Sequence, residues 1–444
     1  MLLMHSKSIT PRLQYIVNFF SQELFEHPIR ITTNKDVYLA HTGPKINYYF
    51  QEIADEEFLI APVPILFETD IHPQEISCFE INYHKAFFQT TGDMHFDIFA
   101  ASFYLISRYE EYVPHEKDEY GRYSHTNSIA FKESFLHEPL VNTWLQEFKS
   151  ALLAKFPSLQ FKGKQFANMV TYDVDIAYSY LNKGWIRNIG GTIKSLLNGQ
   201  IKLAIERWQV LLRMKKDPYD CFEWLDALHL YCRLKPYYFF LVARQVSKYD
   251  KNNSTSSRRF RELVEYYSTT YSTGLHPSWK SGDDPSLLKE EKEWLEVVAE
   301  KEIYASRQHY LRFNIPETFR SLIKAGINKE FSMGYGTING FRASVTSSFP
   351  WYDLERDQTT SLIMYPFCFM DANSFYERNH SPAQAYDELM KFYDAVKKVN
   401  GMLITVWHNH LLSEDKRTTG WKKMFEVFMR DTVYWDAYYD GVPA

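Results

Sequence analysis

The chain has few cysteines, and none of them forms a Cys-x-x-Cys pair. Its 444 residues contain four, a density far too low for a disulfide-stabilised scaffold. We therefore expect reduced thiols, as in a protein of the cytoplasm. The four are Cys78, Cys221, Cys232 and Cys368.

The chain also lacks a basic excess and a long apolar run. Its net charge is −5 and its pI is about 6.3, which argues against a nucleic-acid-binding protein. No stretch approaches the roughly 18–20 apolar residues of a membrane span. His5, Lys7 and Arg12 interrupt the apolar start before a signal-peptide core is reached. We expect a soluble, cytoplasmic protein without a nucleic-acid partner.

Aromatic side chains, in contrast, are abundant, with 33 Phe and 32 Tyr. Aromatic rings bury large areas, and their polar tips can line carbohydrate sites. A chain of 444 residues favours two domains. We place the boundary after the connector 157–164. This gives a smaller N-terminal α+β domain of unknown role over residues 1–164 and a second domain over residues 165–444.

From Phe166 onward, strand-like apolar runs alternate with longer helical stretches. This alternation is typical of parallel strands with helices packed outside them, and it predicts a barrel-like α/β domain. In such barrels the chemistry lies at the carboxyl ends of the strands. The runs are 166–173, 236–243, 269–276, 361–371 and 402–409.

Two carboxylates, Asp173 and Asp175, end the first of these runs. Successive side chains of an extended backbone point to opposite faces, so these two point the same way. Side-by-side carboxylates at the end of a buried strand repel each other and lose hydration. A protein tolerates this when a cation lies between them or when a base is needed. The pair therefore predicts a functional site.

Other polar residues stand at the ends of later runs. His276 ends the run 269–276, Asp371 ends the run 361–371, and His408 and His410 end the last one. Asp and His are the usual ligands of a hydrolytic metal, with water in the open position. A spare carboxylate and a spare histidine would supply the base and the acid.

The order and spacing of these residues resemble those of the NodB-type polysaccharide deacetylases, from about Phe166 to the C-terminus. The first family motif is matched by Thr171-Tyr172-Asp173-Val174-Asp175. The resemblance implies a distorted (β/α) barrel in which Asp173 is the general base. It also implies that Asp175 and His276 are metal ligands.

The later motifs of that family are matched less closely. The resemblance implies that Arg342, in Gly340-Phe341-Arg342-Ala343-Ser344, orients the base and that Asp371 is its loosely matched partner. His408 is the implied general acid. Residues 1–164 resemble the accessory domain that precedes the catalytic domain in a bacterial subset of these proteins.

One position departs from the family pattern. The second motif carries two metal-binding histidines four residues apart, whereas here His276 is followed by Lys280. A protonated lysine cannot ligate a metal. His309 is the first candidate for the missing ligand and His410 is an alternative. A weak or absent metal is the third alternative.

The resemblance implies a metal-dependent hydrolase that removes N-acetyl groups from a sugar in a bacterial cell-surface glycan or a glycan precursor. The expected cofactor is a divalent ion, Zn²⁺ in the first instance. Candidate substrate contacts are Trp279, Trp351, Trp407, Asp371 and His410. Two alternatives stay open: a hydrolase for a non-sugar amide, and a non-catalytic glycan-binding or scaffold protein with a degenerate metal site.

A basic insertion is expected at about 181–217. Between Lys183 and Lys216 lie eight Lys or Arg residues and one acid, Glu206, with apolar residues interleaved. The pattern predicts one or two amphipathic helices. Two interpretations are open: peripheral contact with an anionic membrane surface, or helices that pack their apolar side on the barrel and expose their lysines.

Overall fold

The computed structural model describes residues 1–244 and 247–432. In residues 1–164, four short strands form a parallel sheet in the order β2-β1-β3-β4, and β5 and β6 form a separate hairpin. The elements of this part are β1 (Leu3–Ser6), α1 (Pro11–Leu24), β2 (Arg30–Thr32), α2 (Lys35–Ala40), β3 (Lys45–Tyr48), β4 (Phe58–Leu59), β5 (Phe79–Ile81), β6 (His84–Ala86), α3 (Ile98–Ile106), α4 (Ile129–Lys132) and α5 (Leu140–Lys155).

The first four helices of this part, α1 to α4, begin at side-chain caps. The Thr10 side chain accepts a hydrogen bond from the Leu13 N–H, and Pro11 stands in the first turn of α1, where no backbone donor is needed. Asp97 caps α3, which is buried along its whole length. Since α1 and α2 connect parallel strands, the α+β arrangement expected for residues 1–164 is replaced by crossover connections around a parallel sheet.

The second part is larger and alternates strands with helices. Its elements are β7 (Ala167–Val174), α6 (Trp185–Leu197), α7 (Ile201–Leu211), α8 (Phe222–Cys232), β8 (Tyr237–Leu241), α9 (Arg258–Thr270), β9 (Ser272–His276), α10 (Pro285–Ala299), β10 (Ala305–Ser306), α11 (Glu317–Lys324), β11 (Lys329–Glu330), β12 (Phe349–Asp353), β13 (Gln358–Met364), β14 (Phe369–Met370), α12 (Pro382–Lys398), β15 (Met402–His408) and α13 (Trp421–Thr432).

These strands form one nine-stranded sheet in the order β12-β13-β11-β10-β9-β8-β7-β15-β14. Every pairing is parallel except the antiparallel pair of β12 and β13. A small apolar cluster on one face joins residues that are far apart in this order, such as Phe331 beyond β11 and Met370 of β14. The sheet is therefore strongly curled.

The distorted (β/α) barrel expected from the sequence is not confirmed, because the described strands close no barrel. Among the described residues the edge strands β12 and β14 do not pair, so the sheet is open. The run 361–371, expected as one strand, is divided, because Pro366 has no backbone N–H to donate to a ladder. β13 ends before it and β14 starts after it, near opposite edges of the sheet.

The register of the central strands brings the predicted site residues to one end of the sheet. β7 pairs with β15 so that Asp173 lies opposite His408, and it pairs with β8 so that Asp173 lies opposite Phe239. On the far side of β8, Leu241 lies opposite His276 of β9. Because all these strands are parallel, their carboxyl ends meet at the same edge, where ligands bind in α/β sheets.

The two parts pack against each other through residues 334–364. The Arg342 guanidinium donates to both carboxylate oxygens of Glu111, with the Nε–Oε1 distance at 2.8 Å. The backbone N–H of Val141 donates to the Ser344 carbonyl at 2.9 Å. A single apolar core continues across this contact. The domain boundary at residues 164–165 stays a prediction.

The insertion forms a helical hairpin of α6 and α7, which contact each other. Within the described residues, no helix has both the length and the apolar character that crossing a bilayer requires.

Candidate metal centre

Three side chains at the carboxyl edge of the sheet present ligand atoms to one point. One ligand atom each from Asp175, His276 and His309 lies within 4.8 Å of the other two. Asp175 Oδ1 is 3.2 Å from His276 Nε2 and 3.8 Å from His309 Nε2. One carboxylate oxygen and two imidazole nitrogens are a donor set that suits a hydrolytic divalent ion.

The surroundings of these ligands also fit a metal. His276 Nδ1 donates to the Arg307 carbonyl at 2.5 Å, and His309 Nδ1 donates to Asp250 Oδ1 at 2.9 Å. A second partner of this kind fixes the ring and leaves Nε2 as the ligand atom. Asp175 Oδ1 is buried without a hydrogen-bond partner in the described residues, and such an oxygen is costly unless something binds it.

The pKa values of Asp175 and His276 depend strongly on the charged groups around them. Burial raises the pKa of Asp175, but the nearby imidazoles of His309, His276 and His408 together lower it well below its ordinary range. Burial alone would lower the pKa of His276, but Asp173 and Asp175 raise it above its ordinary value. The cluster thus favours an ionised carboxylate beside His276, and a bound cation would change this balance of charge.

Asp173 lies beside Asp175, His276 and His309, which we call the triad. It is held by an arginine for which no role was predicted from the sequence. Arg307 Nη1 donates to Asp173 Oδ1 at 2.8 Å. The Arg307 side chain is fully buried over the Phe239 ring, and its Nε donates to the Phe331 carbonyl. The only feature of the sequence that could have indicated this role is the position of Arg307, directly beyond β10 and two residues before His309.

The role expected for Arg342 is therefore wrong. Arg342 is paired with Glu111 at the contact between the two parts of the chain, and its Nη1 donates to the Gly334 carbonyl at 3.0 Å. The motif order suggested this arginine because residue spacing carries no information about the long loop 331–348, which takes Arg342 away from Asp173.

Asp371 is hydrogen-bonded to His408, and it does not contact Arg342 as the sequence had suggested. His408 Nδ1 donates to Asp371 Oδ1 at 2.6 Å, and the His408 backbone N–H donates to Asp371 Oδ2 at 2.8 Å. Burial lowers the pKa of His408, but the Asp371 carboxylate outweighs this and raises it to about 9. His408 Nε2 lies 3.9 Å from Asp175 Oδ2, so a protonated imidazole faces the triad.

The triad, Asp173 and His408 line a cavity of about 440 Å³. Five tyrosines contribute to its wall. Four other wall residues each carry a buried polar atom that lacks a partner among the described residues, namely Arg122 Nη2, Gln308 Nε2, Asn373 Oδ1 and His410 Nδ1. His410 is in the wall but outside the ligand triad, and burial lowers its pKa to about 4. The tyrosines are Tyr120, Tyr219, Tyr249, Tyr310 and Tyr376.

Two of the wall residues come from the first part of the chain. Tyr120 and Arg122 stand in the loop between α3 and α4, and Arg122 Nη1 donates to the Tyr310 carbonyl at 2.6 Å. The Arg122 guanidinium also lies over the Tyr120 ring and pairs with Asp118. Gly336 leaves room for the Arg122 guanidinium, because a Cβ at this position would lie 2.0 Å from Arg122 Nη1. No sequence signal indicated this contribution.

The three tryptophans proposed as substrate walls lie outside the cavity wall. Trp351 and Trp407 are fully buried core residues, with indole N–H groups that donate to Tyr112 Oη and Thr405 Oγ1. Both predictions are therefore wrong, because alternation in β12 and β15 directs these rings into the core. Trp279 stacks on Tyr249, a wall residue, with ring centroids 3.8 Å apart.

The departure at position 280 is explained by local geometry. Lys280 is exposed in a short 3₁₀ turn that follows β9, whereas His309 lies in another 3₁₀ turn beyond β10, the strand next to β9. His309, and not the residue at position 280, therefore brings a second imidazole close to Asp175 and His276.

Comparison with known proteins gives a family match for the first part of the chain. A family of unknown function (DUF7033) matches residues 2–157. No curated protein matches the chain.

Three solved structures show some likeness to this chain. One, described as a polysaccharide deacetylase from Mycobacterium smegmatis, is 14% identical with a TM-score of 0.40, covering 62% of this chain and 86% of that one. A polysaccharide deacetylase from Bacillus cereus is 10% identical with a TM-score of 0.30, covering 63% and 96%. A mutant of a CE4 family pseudoenzyme with restored enzymatic activity is 10% identical with a TM-score of 0.26, covering 60% and 63%.

Proposed function

We propose that this protein is a metal-dependent hydrolase that removes the N-acetyl group from a sugar in a bacterial cell-surface glycan or its precursor. The observation that carries the proposal is the arrangement of five side chains. The triad Asp175, His276 and His309 lies between a carboxylate held by an arginine, Asp173, and a histidine held by a carboxylate, His408. Ligands, base and acid are the parts that hydrolysis of an amide requires.

Asp173 is suited to be the general base. Arg307 occupies Oδ1 and fixes the plane of the carboxylate, which leaves Oδ2 to accept a proton from the attacking water. Oδ2 lies 3.9 Å from His276 Nε2, beside the ligand triad. A base held in position in this way avoids the cost of orienting it during the reaction.

His408 is suited to be the general acid. Its pKa of about 9 keeps it protonated at neutral pH, and Asp371 holds Nδ1, so Nε2 carries the proton that faces the cavity. From there His408 would donate to the departing amine. A divalent ion in the triad, with Zn²⁺ the expected one, supplies the Lewis acidity that polarises the acetyl carbonyl.

The cavity wall favours a sugar over a non-sugar amide. Tyrosine rings can stack against the apolar face of a pyranose, and their hydroxyls can bond its polar edge. Unpartnered donors and acceptors, such as Arg122 Nη2 and Asn373 Oδ1, match a ligand with many hydroxyl groups. The wall also mixes charges of both signs, as a neutral polar ligand allows.

Metal analysis of protein purified without chelator tests this proposal. We expect about one equivalent of Zn or a similar ion in the wild type. The Asp175→Ala/His276→Ala variant and the His309→Ala variant should lose it. His410→Ala is the matched control, because His410 lies in the same cavity but outside the triad, and it should retain the metal.

Two results would contradict the proposal. A wild type that neither contains nor takes up a divalent ion would instead favour a non-catalytic glycan-binding protein. If His410→Ala lost the metal and His309→Ala retained it, His410 and not His309 would be the third ligand.

A further inference from the structure

The helical hairpin α6–α7 exposes its apolar side chains. Ile186 is 89% exposed, Leu197 81%, Met214 74% and Trp185 68%. Soluble surfaces seldom gather large apolar residues in one patch without a partner for it. The other exposed large apolar residues of the hairpin are Ile189, Ile193, Leu196, Ile201, Ile205 and Leu212.

The buried side of the hairpin, in contrast, is mostly small and polar. Asn188 and Ser195 are the buried residues of α6, and Ala204 and Val210 are those of α7. Asn188 donates to the Tyr180 and Gly184 carbonyls. The apolar side therefore does not pack on the sheet, which rules out the second interpretation of this segment given above.

Hydrogen bonds and a close glycine contact hold the two helices in this orientation. Arg207 Nη1 donates to Thr192 Oγ1 at 3.3 Å, and its guanidinium lies over the Tyr180 ring. Gly191 allows the approach, since a Cβ there would lie 2.8 Å from the Arg207 guanidinium carbon. Exposure of the apolar stripe is thus built into the packing of the hairpin.

Basic residues flank the apolar stripe. Residues 183–216 contain eight Lys or Arg and one acid, a net charge of +7, and the whole chain carries −5, so the rest carries −12. A basic residue that directly follows an apolar one lies about 100° around the helix, at the border of the stripe. Such pairs are Ile186–Arg187, Ile193–Lys194 and Ile201–Lys202, and all six residues are exposed. Arg213, just beyond the end of α7, is exposed as well.

The hairpin leaves and rejoins the fold close to the cavity. Ile176, just before it, and Tyr219, just after it, both line the cavity wall. Asp217 closes the base, because its carboxylate accepts the backbone N–H groups of Ser179, Tyr180 and Leu181. A surface that bound the hairpin would therefore lie near the cavity.

We propose that residues 183–216 dock on an anionic lipid bilayer and hold the cavity at its surface. An exposed apolar stripe bordered by basic residues, on helices too short to span, is the pattern of an interfacial helix. Segregated positive charge is attracted to anionic headgroups. In combination with the proposed function, on which this last step rests, the N-acetylated sugar would be presented at the membrane, as in a lipid-linked glycan precursor.

Vesicle pelleting of the full chain tests the docking. We expect the protein to pellet with vesicles of equal parts phosphatidylglycerol and phosphatidylcholine and to stay in solution with phosphatidylcholine alone. Ile186→Asn/Ile193→Asn/Leu197→Asn should weaken binding at least ten-fold. Lys194→Gln/Lys202→Gln/Arg213→Gln should weaken it too, and added salt should do so for the wild type.

The matched control is Leu230→Asn/Val297→Asn, which changes apolar residues 83% and 70% exposed outside the hairpin and should bind like the wild type. Trp185 gives a second readout: its fluorescence should shift to shorter wavelength on vesicles, and Trp185→Phe should remove that shift but not the pelleting. Circular dichroism should show the same thermal midpoint for all variants, because the changed residues are exposed.

The proposal is overturned if the wild type stays in solution with both vesicles, or if the triple Asn variant pellets as well as the control. It is also overturned if light scattering finds a dimer that the triple variant converts to a monomer, since a second copy would then cover the stripe. Pelleting needs no turnover. Membrane binding without deacetylase activity would therefore reject the proposed function and leave docking intact, and activity without binding would do the reverse.

Discussion

At the residue scale, the candidate site separates two carboxylates that the sequence places only one residue apart. Asp173 is held by Arg307 and has one free oxygen, whereas Asp175 faces two histidines. The same spacing thus serves two tasks, a base and a ligand. The difference arises from the neighbours that β9 and β10 bring to each side chain.

Asp173→Asn tests this division. The amide keeps the shape but cannot accept the proton, so kcat/KM for an N-acetylated sugar should fall by about 10²–10⁴-fold, the usual contribution of a general base. Metal content should stay near that of the wild type, because Asp173 is not in the triad. Near-normal activity in this variant would refute the base assignment, and loss of metal would make Asp173 a ligand.

Sequence reasoning at this scale reached the residues at strand ends and missed those that support them. Asp173, Asp175, His276 and His408 follow apolar runs, and parallel pairing brings them together. Their supports are set by the third dimension. Arg307 reaches Asp173 from a strand three places away in the sheet, and no spacing rule distinguishes it from Arg342.

At the scale of the element, neighbouring strands deliver an acid–base pair. β14 and β15 are adjacent and parallel, so Asp371 beyond one and His408 at the end of the other meet at the same edge. The split of the run 361–371 is what makes this possible. An undivided strand would continue from β13 and leave Asp371 at the other side of the sheet.

Asp371→Asn should change the pH dependence of the reaction. Because the Asp371 carboxylate raises the pKa of His408 to about 9, the acid is protonated below that pH and is lost above it. Without that charge the pKa of His408 should fall toward the ordinary 6.5. The alkaline limb of the pH–kcat profile should then move to lower pH, and NMR titration of metal-free protein should show the same shift. An unmoved limb would mean that His408 is not the acid.

At the scale of the whole molecule, the first part of the chain completes the cavity instead of lying apart from it. Arg122 passes over Gly336 and donates to the Tyr310 carbonyl, the Tyr120 ring packs against the Tyr310 ring, and the core continues between the two parts. The sequence could indicate that residues 1–164 differ in texture from the rest. It could not indicate which loop of this part would reach the site, because the loop has no motif of its own.

Arg122→Ala tests whether this loop binds the substrate. Arg122 Nη2 is buried in the cavity wall without a partner among residues 1–244 and 247–432, and a hydrogen bond from a charged donor contributes about 1.5–3 kcal/mol. KM for an N-acetylated oligosaccharide should therefore rise about ten-fold or more with kcat little changed. A small N-acetyl aryl amide, too short to reach Arg122, should be hydrolysed as by the wild type.

Lys117→Ala is the matched control for this loop. Lys117 lies in the same loop, but its Nζ donates to Asn314 Oδ1 at 2.8 Å, and it is not part of the wall. Both KM values should therefore stay unchanged. Arg122 also bonds Asp118 and Tyr310, so its loss could disturb the loop as a whole. In that case kcat would fall and KM would rise for both substrates, and Arg122 would support the wall without touching the sugar. A rise in KM confined to the oligosaccharide, partly reversed in Arg122→Lys, would instead place a sugar-binding contact on the first part of the chain.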